Sequence, residues 1–226
     1  MIKSSGESPT PTARDQAYQW AKEAILGSRF PEGSFLEEKV VSDEAGVSRT
    51  PVREAFHRLA AEGYIQLLPR RGAQVRSVTA RELFETYEMR QVLEIHGFKL
   101  LCDKRAELPP GLHEHLDRME DPEQLERCWA GDRDAIARHA TLDFFFHFSF
   151  VKASGNGVLI DLFRSLQSRH QRIAVSAVSL RPRRLRVINP EHRTLLDALT
   201  VHDFETASTT LRRHLNPDEQ VISHLR

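Results

Sequence analysis

A short stretch that joins two predicted helices, residues 45–55, strongly limits the folds that the N-terminal part of the chain can adopt. It reads Ala-Gly-Val-Ser-Arg-Thr-Pro-Val-Arg-Glu-Ala. Apolar residues recur at helical spacing on either side of it, which predicts helices over residues 37–45 and 50–62. Gly46 lies between them, and glycine ends many helices because it adopts the left-handed conformation without strain. A helix, a tight turn and a second helix together predict a helix-turn-helix.

The flanking residues predict one more helix and a small β-hairpin. Helical spacing covers residues 15–26, and two apolar runs at 64–68 and 73–77 predict strands joined by Pro-Arg-Arg-Gly. Three helices and a hairpin make a winged helix-turn-helix, which we assign to residues 14–78. Residues 1–13, rich in Ser, Pro and Thr, are predicted to form a flexible tail.

The helix predicted over residues 50–62 has the features of a DNA recognition helix. Thr50 can cap it, and Pro51 suits its first position, where a missing N–H costs nothing. Arg49 and Arg53 lie at the end that enters the major groove, where arginine binds guanine or phosphate. The other face would dock on the neighbouring helices through an apolar stripe of Val52, Ala55, Phe56 and Leu59.

Positive charge is concentrated in this part of the sequence. Residues 49–76 contain six arginines and two glutamates, a net charge of +4, although the formal net charge of the chain is zero. Arg70 and Arg71, beside Gly72 at the tip of the predicted wing, would reach the minor groove or the DNA backbone. These residues therefore predict double-stranded DNA as a partner.

Composition favours an ordinary globular protein of the cytoplasm. Hydrophobic residues make up 40% and charged residues 28% of the 226 residues. We expect no membrane partner because no apolar run approaches the length of a membrane helix. The N-terminus does not resemble a secretory signal, and the two cysteines fit no disulfide framework.

Residues 79–226 show helical periodicity and no strand pattern. The sequence therefore predicts a mainly α protein whose second domain is an all-α antiparallel helical bundle that binds ligand. Helices are expected over residues 79–106, 110–119, 132–152, 157–180, 189–201 and 203–225, with 122–129 left undecided.

Four residues of this bundle have types and spacings suited to a metal ion. Asp143 and His147 are four residues apart and share one helix face. His192 is expected near the start of its helix, and an antiparallel partner helix would bring His214 close to it. One carboxylate and three imidazoles suit a first-row divalent ion with positions left for a ligand. The residues alone leave two alternatives open, a surface Asp–His contact and histidines satisfied within a core.

The N-terminal pattern resembles the GntR regulators. Matching residues stand at fixed spacing: Gly33, Leu36, Val47 to Ala55, Leu59, Glu62-Gly63 and Arg71-Gly72. Phe56 departs from the leucine that many members carry. The resemblance implies DNA contacts from Lys39, Arg49, Thr50, Arg53 and the wing around Gly72, and we add Ser48, Arg70 and Arg71 to this set.

Residues 79–226 resemble the FCD-type domain of the FadR branch of that family, in its six-helix, VanR-like variant. The pattern comprises Arg90…Leu93-Glu94, Asp143…His147, Ser154-Gly155-Asn156, Glu191-His192 and His214-Leu215. It implies one divalent transition metal per chain (Zn, Ni or Mn) held by Asp143, His147, His192 and His214. It also implies a small organic acid bound above the ion.

Arg90 is the candidate to bind the carboxylate of that effector, because its planar guanidinium matches a carboxylate. The alternative is a buried salt bridge to Glu94 or another acid. His57, His113, His115 and His224 are expected at the surface, whereas pocket positions for His96, His139 and His170 are left open.

Three functions are compatible with these features. The first is a homodimeric regulator, not an enzyme, that binds two-fold-related half-sites and whose operator affinity changes with an organic acid. The second is a regulator for which the metal itself is the signal. The third is a metal-dependent enzyme, since such an ion can activate water. The absence of a separate general base and the attached DNA-binding module argue against the third.

Overall fold

The structure, a computed structural model, describes residues 11–225 and divides after Arg76 into two units. The predicted tail at residues 1–10 lies outside the described part. Ala13, expected in the tail, instead begins the first helix, because the Oγ1 of Thr12 caps it by accepting from the backbone N–H of Asp15.

The N-terminal unit contains three helices and three strands. The helices are α1 (Ala13–Leu26), α2 (Glu38–Ala45) and α3 (Arg49–Ala61), and the strands are β1 (Phe35–Leu36), β2 (Ile65–Leu68) and β3 (Gly72–Val75). Helix α3 packs on α1 and α2. Its predicted apolar stripe is buried as expected, with Val52, Ala55, Phe56 and Leu59 all at or below 4% exposure. The winged helix-turn-helix is therefore confirmed.

The start of α3 differs from the prediction. The helix begins at Arg49 after Ser48, so Thr50 does not cap it and Pro51 is its third residue. Pro51 is still tolerated there, because the first four N–H groups of a helix have no partner within it. Gly46 ends α2 in the left-handed conformation with φ of +66°, as predicted.

The wing is a three-stranded antiparallel sheet of order β1-β3-β2 rather than a hairpin alone. Strand β1 pairs Phe35 with Gln74 and Leu36 with Ala73. The sequence did not predict β1, because two residues are too few to show strand alternation. The pairing of Leu68 with Gly72 sets the register of the wing turn.

The regular secondary structure of the C-terminal unit is entirely helical in its described residues. Its helices are α4 (Ala80–Asp103), α5 (Leu112–Met119), α6 (Pro122–Trp129), α7 (Arg133–Ala153), α8 (Gly157–Ser165), α9 (Gln167–Leu180), α10 (Leu185–Thr200), α11 (Phe204–His214) and α12 (Glu219–Ile222), with a 3₁₀ turn at Pro182–Arg184. Nine α-helices thus replace the predicted six in this part of the chain. None of the described helices has the length and hydropathy needed to cross a membrane.

Two of the predicted helices are each broken into two. The helix predicted over 157–180 breaks at Leu166, whose N–H bonds the carbonyl of Phe163, three residues back. The helix predicted over 203–225 ends at His214, because Pro217 disfavours helical backbone at the residue before it and Asp218 then caps α12.

Helix α10 begins at Leu185, four residues before the predicted start. Asn189 and Pro190, interpreted as a cap and first turn, lie inside the helix. His192 is consequently its eighth residue and does not lie near the helix start. The predicted antiparallel pairing is present: α10 packs against α11 after a turn in which His202 has φ of +59°.

Helix α7 is the central element of the C-terminal unit. It packs against α4, α5, α6, α8 and α9. One side of it buries Phe146 and Phe150 in a cluster with Phe98, Leu195 and Leu211. This packing fixes the faces of α4, α7, α10 and α11 from which the candidate site is built.

Candidate metal centre and DNA-binding surface

The four residues predicted to ligate a metal come together in the C-terminal unit. Asp143 and His147 come from α7, His192 from α10 and His214 from α11, and all four are buried. One potential ligand atom from each lies within 4.8 Å of the others. The Nε2 of His192 is 3.2 Å from the Nε2 of His147 and 3.1 Å from the Oδ1 of Asp143.

Two buried carboxylates support the outer nitrogens of two of these histidines. The Nδ1 of His147 lies 2.6 Å from the Oε2 of Glu94, and the Nδ1 of His214 lies 3.1 Å from the Oε2 of Glu191. A neutral histidine that donates its Nδ1–H to a carboxylate presents the lone pair of Nε2. This pairing of carboxylate and histidine is typical of metal sites, where it fixes the tautomer and raises the basicity of the ligand.

Burial keeps His147 and His214 neutral. It lowers the pKa of His147 to about 4 and that of His214 to about 3, although the neighbouring carboxylates oppose the shift. Burial also favours protonation of Asp143, but its contacts with His170 and His192 outweigh this and hold its pKa well below the ordinary value. At neutral pH the cluster therefore offers the carboxylate of Asp143 and the lone pairs of the His147 and His214 imidazoles.

These groups fit a divalent transition metal. Imidazole nitrogens 3.2 Å apart repel each other when both present lone pairs, so a proton or a cation is needed between them. A set of three imidazoles and one carboxylate suits zinc, nickel or manganese. When bound, such an ion would supply positive charge and coordination positions for an oxygen ligand.

Arg90 belongs to a buried chain of contacts between two of the candidate ligands. Its Nε donates to the Oε1 of Glu94 at 2.7 Å, and its Nη1 lies 2.9 Å from the Nδ1 of His170. The Nε2 of His170 lies 2.9 Å from the Oδ2 of Asp143. Since Glu94 also contacts His147, Asp143 and His147 are connected through Arg90. The salt bridge that the sequence left as an alternative is thus present.

Arg90 nevertheless retains binding capacity. Its Nη2 is buried and has no hydrogen-bond partner in the described chain. Arg90 lines a cavity of about 50 Å³ that is partly open to solvent. Asp143, His139 and His214 also line this cavity, and Ala177, Val178, Leu185 and Ile188 supply apolar wall. The salt bridge and a ligand contact are therefore compatible.

Sequence reasoning did not assign four residues of this site. Glu94 and Glu191 support metal-ligand candidates, His170 contacts both Arg90 and Asp143, and His139 lines the cavity. The adjacent Glu191-His192 and the four-residue spacing of His139 and Asp143 were signals for two of them. Of the other histidines, His96 is exposed, and His115 is half-buried with its Nε2 on the carbonyl of Leu142 rather than fully at the surface.

All eight residues predicted to contact DNA are exposed on the N-terminal unit. They are Lys39, Ser48, Arg49, Thr50, Arg53, Arg70, Arg71 and Gly72. Arg53 contacts both carboxylate oxygens of Glu38 at 3.0 Å. An exposed pair of this kind contributes little stability, so Arg53 can exchange Glu38 for DNA at small cost.

The wing turn gives one of these arginines an unusual backbone. The N–H of Arg71 donates to the carbonyl of Leu68 at 3.1 Å, and Arg70, which follows Pro69, has φ of +64°. Proline at the second position and positive φ at the third are typical of a type II turn. Glycine or asparagine usually fills the third position, whereas here an arginine does.

Comparisons with known proteins agree with both units. Residues 13–75 match the model of the bacterial regulatory proteins of the gntR family, and residues 85–217 match the FCD domain. A probable D-xylose utilization operon transcriptional repressor of Paenarthrobacter nicotinovorans is 30% identical over 207 residues, which cover 90% of this chain and 86% of that protein.

The chain belongs to the GntR family of transcription regulators, in the FadR-like group with an FCD domain. This confirms the resemblance and the DNA-binding function that the sequence predicted. The matched families and relatives of this GntR regulator are transcription regulators and not enzymes, as expected.

Two solved structures share the fold of this GntR regulator. A putative GntR regulator from Rhodococcus sp. RHA1 superposes with a TM-score of 0.75 at 24% identity, over 94% of this chain and 99% of that one. The E. coli protein McbR/YncC gives a TM-score of 0.70 at 23% identity, over 91% and 94% of the two chains.

Proposed function

We propose that this regulator binds operator DNA through the start of α3 and the wing. The predicted set from Lys39 to Gly72 supplies exposed side chains at both places. Arg49 and Arg53 at the helix start suit base edges or phosphates, whereas Arg70 and Arg71 suit the backbone or the minor groove. We assign this role to residues 14–78 and the sensing role to residues 79–226.

The sensing domain binds one divalent transition metal per chain through Asp143, His147, His192 and His214. The observation that carries this proposal is the convergence of their ligand atoms within 4.8 Å. The carboxylates of Glu94 and Glu191 support it further, because each holds one histidine in the tautomer that a metal requires. Zinc, nickel and manganese remain the candidate ions.

A small organic acid binds in the cavity beside the ion and changes operator affinity. The unpartnered Nη2 of Arg90 is the candidate donor to its carboxylate. The acid acts by binding one of two states of the regulator more tightly than the other. The regulator works in the cytoplasm as a homodimer on two-fold-related half-sites and, like the named Paenarthrobacter relative, as a repressor.

A second candidate function is metal sensing. A series of contacts favours it, leading from Asp143 through His170, Arg90 and Glu94 to His147. Because Asp143 and His147 are both candidate ligands, an ion bound by them would affect the positions of the side chains that connect them. In that case the ion alone would change operator affinity.

Titration of the regulator against its operator, selected from random DNA by the purified protein, separates the two functions. The protein is used stripped of metal, reloaded with zinc, and reloaded in the presence of organic acids. An effect of acids only after reloading supports the organic acid as signal, whereas a full response to zinc alone supports metal sensing. Absence of any metal by elemental analysis after reloading with zinc, nickel and manganese would reject both.

A further inference from the structure

Arginines are concentrated around the short 3₁₀ turn between α9 and α10. Residues 181–186 read Arg-Pro-Arg-Arg-Leu-Arg, and we call this segment the arginine turn. Pro182 fixes the backbone at its start, and the N–H of Arg184 donates to the carbonyl of Arg181 at 3.0 Å. Because residues three apart lie on one side of a 3₁₀ helix, the turn brings Arg181 and Arg184 together. The fold thus holds like charges close to each other.

One carboxylate opposes the four positive charges of this segment. Asp218, the capping residue of α12, contacts Arg181 and lies 3.1 Å from the Nη1 of Arg184. Neither Arg183 nor Arg186 contacts a carboxylate among the residues that the structure describes. The four arginines and Asp218 therefore carry a net charge of +3. Since like charges repel, a bound anion would stabilise this arrangement.

The arginine turn borders a cavity of about 580 Å³ that is partly open to solvent. The charged and aromatic side chains that line it are Arg181, Arg183, Arg184, Asp218 and Trp129. It is distinct from the cavity of Arg90, with which it shares one residue, Arg184. Its volume is within the range of cavities that bind small metabolites.

Trp129 gives this cavity an aromatic wall. It is the last residue of α6, and its side chain is half-buried. Arg186 lies over the indole ring, 4.6 Å from the ring centroid, a cation–π contact that holds Arg186 in place without neutralising its charge. The buried Nε1 of Trp129 has no hydrogen-bond partner in the described chain. The tryptophan thus adds an apolar ring and an unpaired donor to a site whose other donors are mainly guanidinium groups.

A compact dianion matches these features. Guanidinium groups bind phosphate through paired N–H donors. A phosphate monoester carries nearly two negative charges at pH 7 and spreads them over three oxygens of one group. Arg181, Arg183 and Arg184 line one cavity within four residues of chain, which suits charge concentrated in one group. A dicarboxylate separates its two charges and suits this arrangement less well.

We propose that the arginine turn binds a small phosphate monoester, with Arg183 contacting the phosphate directly and Asp218 competing with it for Arg181 and Arg184. This is a second ligand site of the regulator. It does not depend on the metal, and it is separate from the organic-acid effector proposed for the cavity of Arg90.

The test measures binding of glycerol 3-phosphate to the full-length, zinc-loaded protein by calorimetry, with glycerol and succinate as further probes. We expect glycerol 3-phosphate to bind and glycerol not to bind, because the phosphate supplies the charge. The affinity for glycerol 3-phosphate should be the same in zinc-stripped protein, since none of the four candidate metal ligands lines this cavity.

Two variants should change this affinity in opposite directions. Arg183→Ala should weaken binding about tenfold, equivalent to about 1.4 kcal/mol for one charge-assisted contact. Asp218→Asn should strengthen it about fivefold, equivalent to about 1 kcal/mol, because one competing negative charge is removed. Asparagine can still cap α12, so the fold should be retained. Arg169→Ala, at an exposed position on α9, is the matched control and should leave the affinity unchanged.

Several results would overturn the proposal. One is the absence of glycerol 3-phosphate binding, and another is equal binding by wild type and a folded Arg183→Ala protein. Binding that requires zinc would place the phosphate on the ion. A loss of succinate affinity in Arg183→Ala as large as the loss for glycerol 3-phosphate would show that the site does not select phosphate. Lower operator affinity and a smaller salt slope of Arg183→Ala, measured without phosphate, would assign the arginine turn to the DNA backbone instead.

Discussion

In the N-terminal unit the arginines assigned to DNA lie exposed at a helix start and at a wing tip, whereas in the C-terminal unit Arg90 is 2% exposed and paired with Glu94. The exposed arginines leave their charge to be neutralised by a partner, and Arg53 can do so by exchanging its exposed contact with Glu38. The charge of Arg90 is largely neutralised inside the fold, and only one of its nitrogens is left for a ligand. We therefore expect changes at the first region to alter binding, and changes at the second to alter stability as well.

Helix α4 provides the strongest test of this difference, because it carries two Arg–Glu pairs of the same spacing. Arg90–Glu94 is buried and Arg81–Glu85 is exposed, and the shortest N–O distance is 2.7 Å in both. Arg90→Ala should lower the free energy of unfolding by about 3–5 kcal/mol, because it leaves Glu94 buried without its main partner. Arg81→Ala should cause no measurable change. Urea denaturation measures the free energy of unfolding of both variants. Equal losses in the two variants would contradict the expected difference between the buried and the exposed pair.

Removal of the metal should affect stability next most strongly. At a free zinc concentration one hundred times Kd, binding to the folded state alone stabilises it by about 2.7 kcal/mol. Thermal melting with and without zinc should therefore differ in the wild-type protein and agree in His192→Ala. Arg49→Ala serves as the control in the other unit and should retain the full zinc-dependent shift. An equal zinc shift in His192→Ala would show that the ion binds elsewhere.

The two regions also differ in what their sequence reveals. The residues proposed to bind DNA lie within one segment, where glycine, proline and arginine spacing predicts the turn, the helix start and the wing. Asp143 and His147 were predictable for the same reason, since they share one helix face. Family resemblance was needed to add His192 and His214 with any specificity, because their approach depends on how α10 and α11 pack.

Other features of the site depend on long-range packing that no local pattern encodes. Arg90 and His170 are 80 residues apart, and Glu94 and His147 are 53 apart. Neither pair leaves a periodic signal in the sequence. The break at Leu166 was missed because no glycine or proline marks it. The early start of α10 was missed because Asn189-Pro190 imitates a helix beginning.

On the DNA-binding surface, substitution of Arg49 should weaken specific binding without affecting the fold. Arg49→Ala should cost about 1–3 kcal/mol of operator affinity if the guanidinium forms a bidentate contact with guanine. The variant should also discriminate less between bases at one position of the operator. Fluorescence anisotropy with the selected operator and its single-base variants measures both quantities. Arg118→Ala, an exposed arginine of the C-terminal unit, is the control. Unchanged discrimination in a folded Arg49→Ala protein would remove Arg49 from the base-contacting set.

At Arg70, a substitution should affect stability and DNA binding with opposite signs. A side chain with a left-handed backbone costs about 1–2 kcal/mol, and Arg70 has φ of +64°. Arg70→Gly relieves this strain, but glycine is also less restricted in the unfolded chain, so we expect a net gain in stability of at most about 1 kcal/mol. Operator affinity should fall uniformly across DNA sequences, and the slope of log K against log salt should decrease by about 1, because one phosphate contact is lost. Arg105→Gly is a matched control in the C-terminal unit, since Arg105 has φ of +47°, and it should gain stability with no loss of DNA binding. If Arg70→Gly keeps both the affinity and the salt slope, the side chain of Arg70 does not contact phosphate.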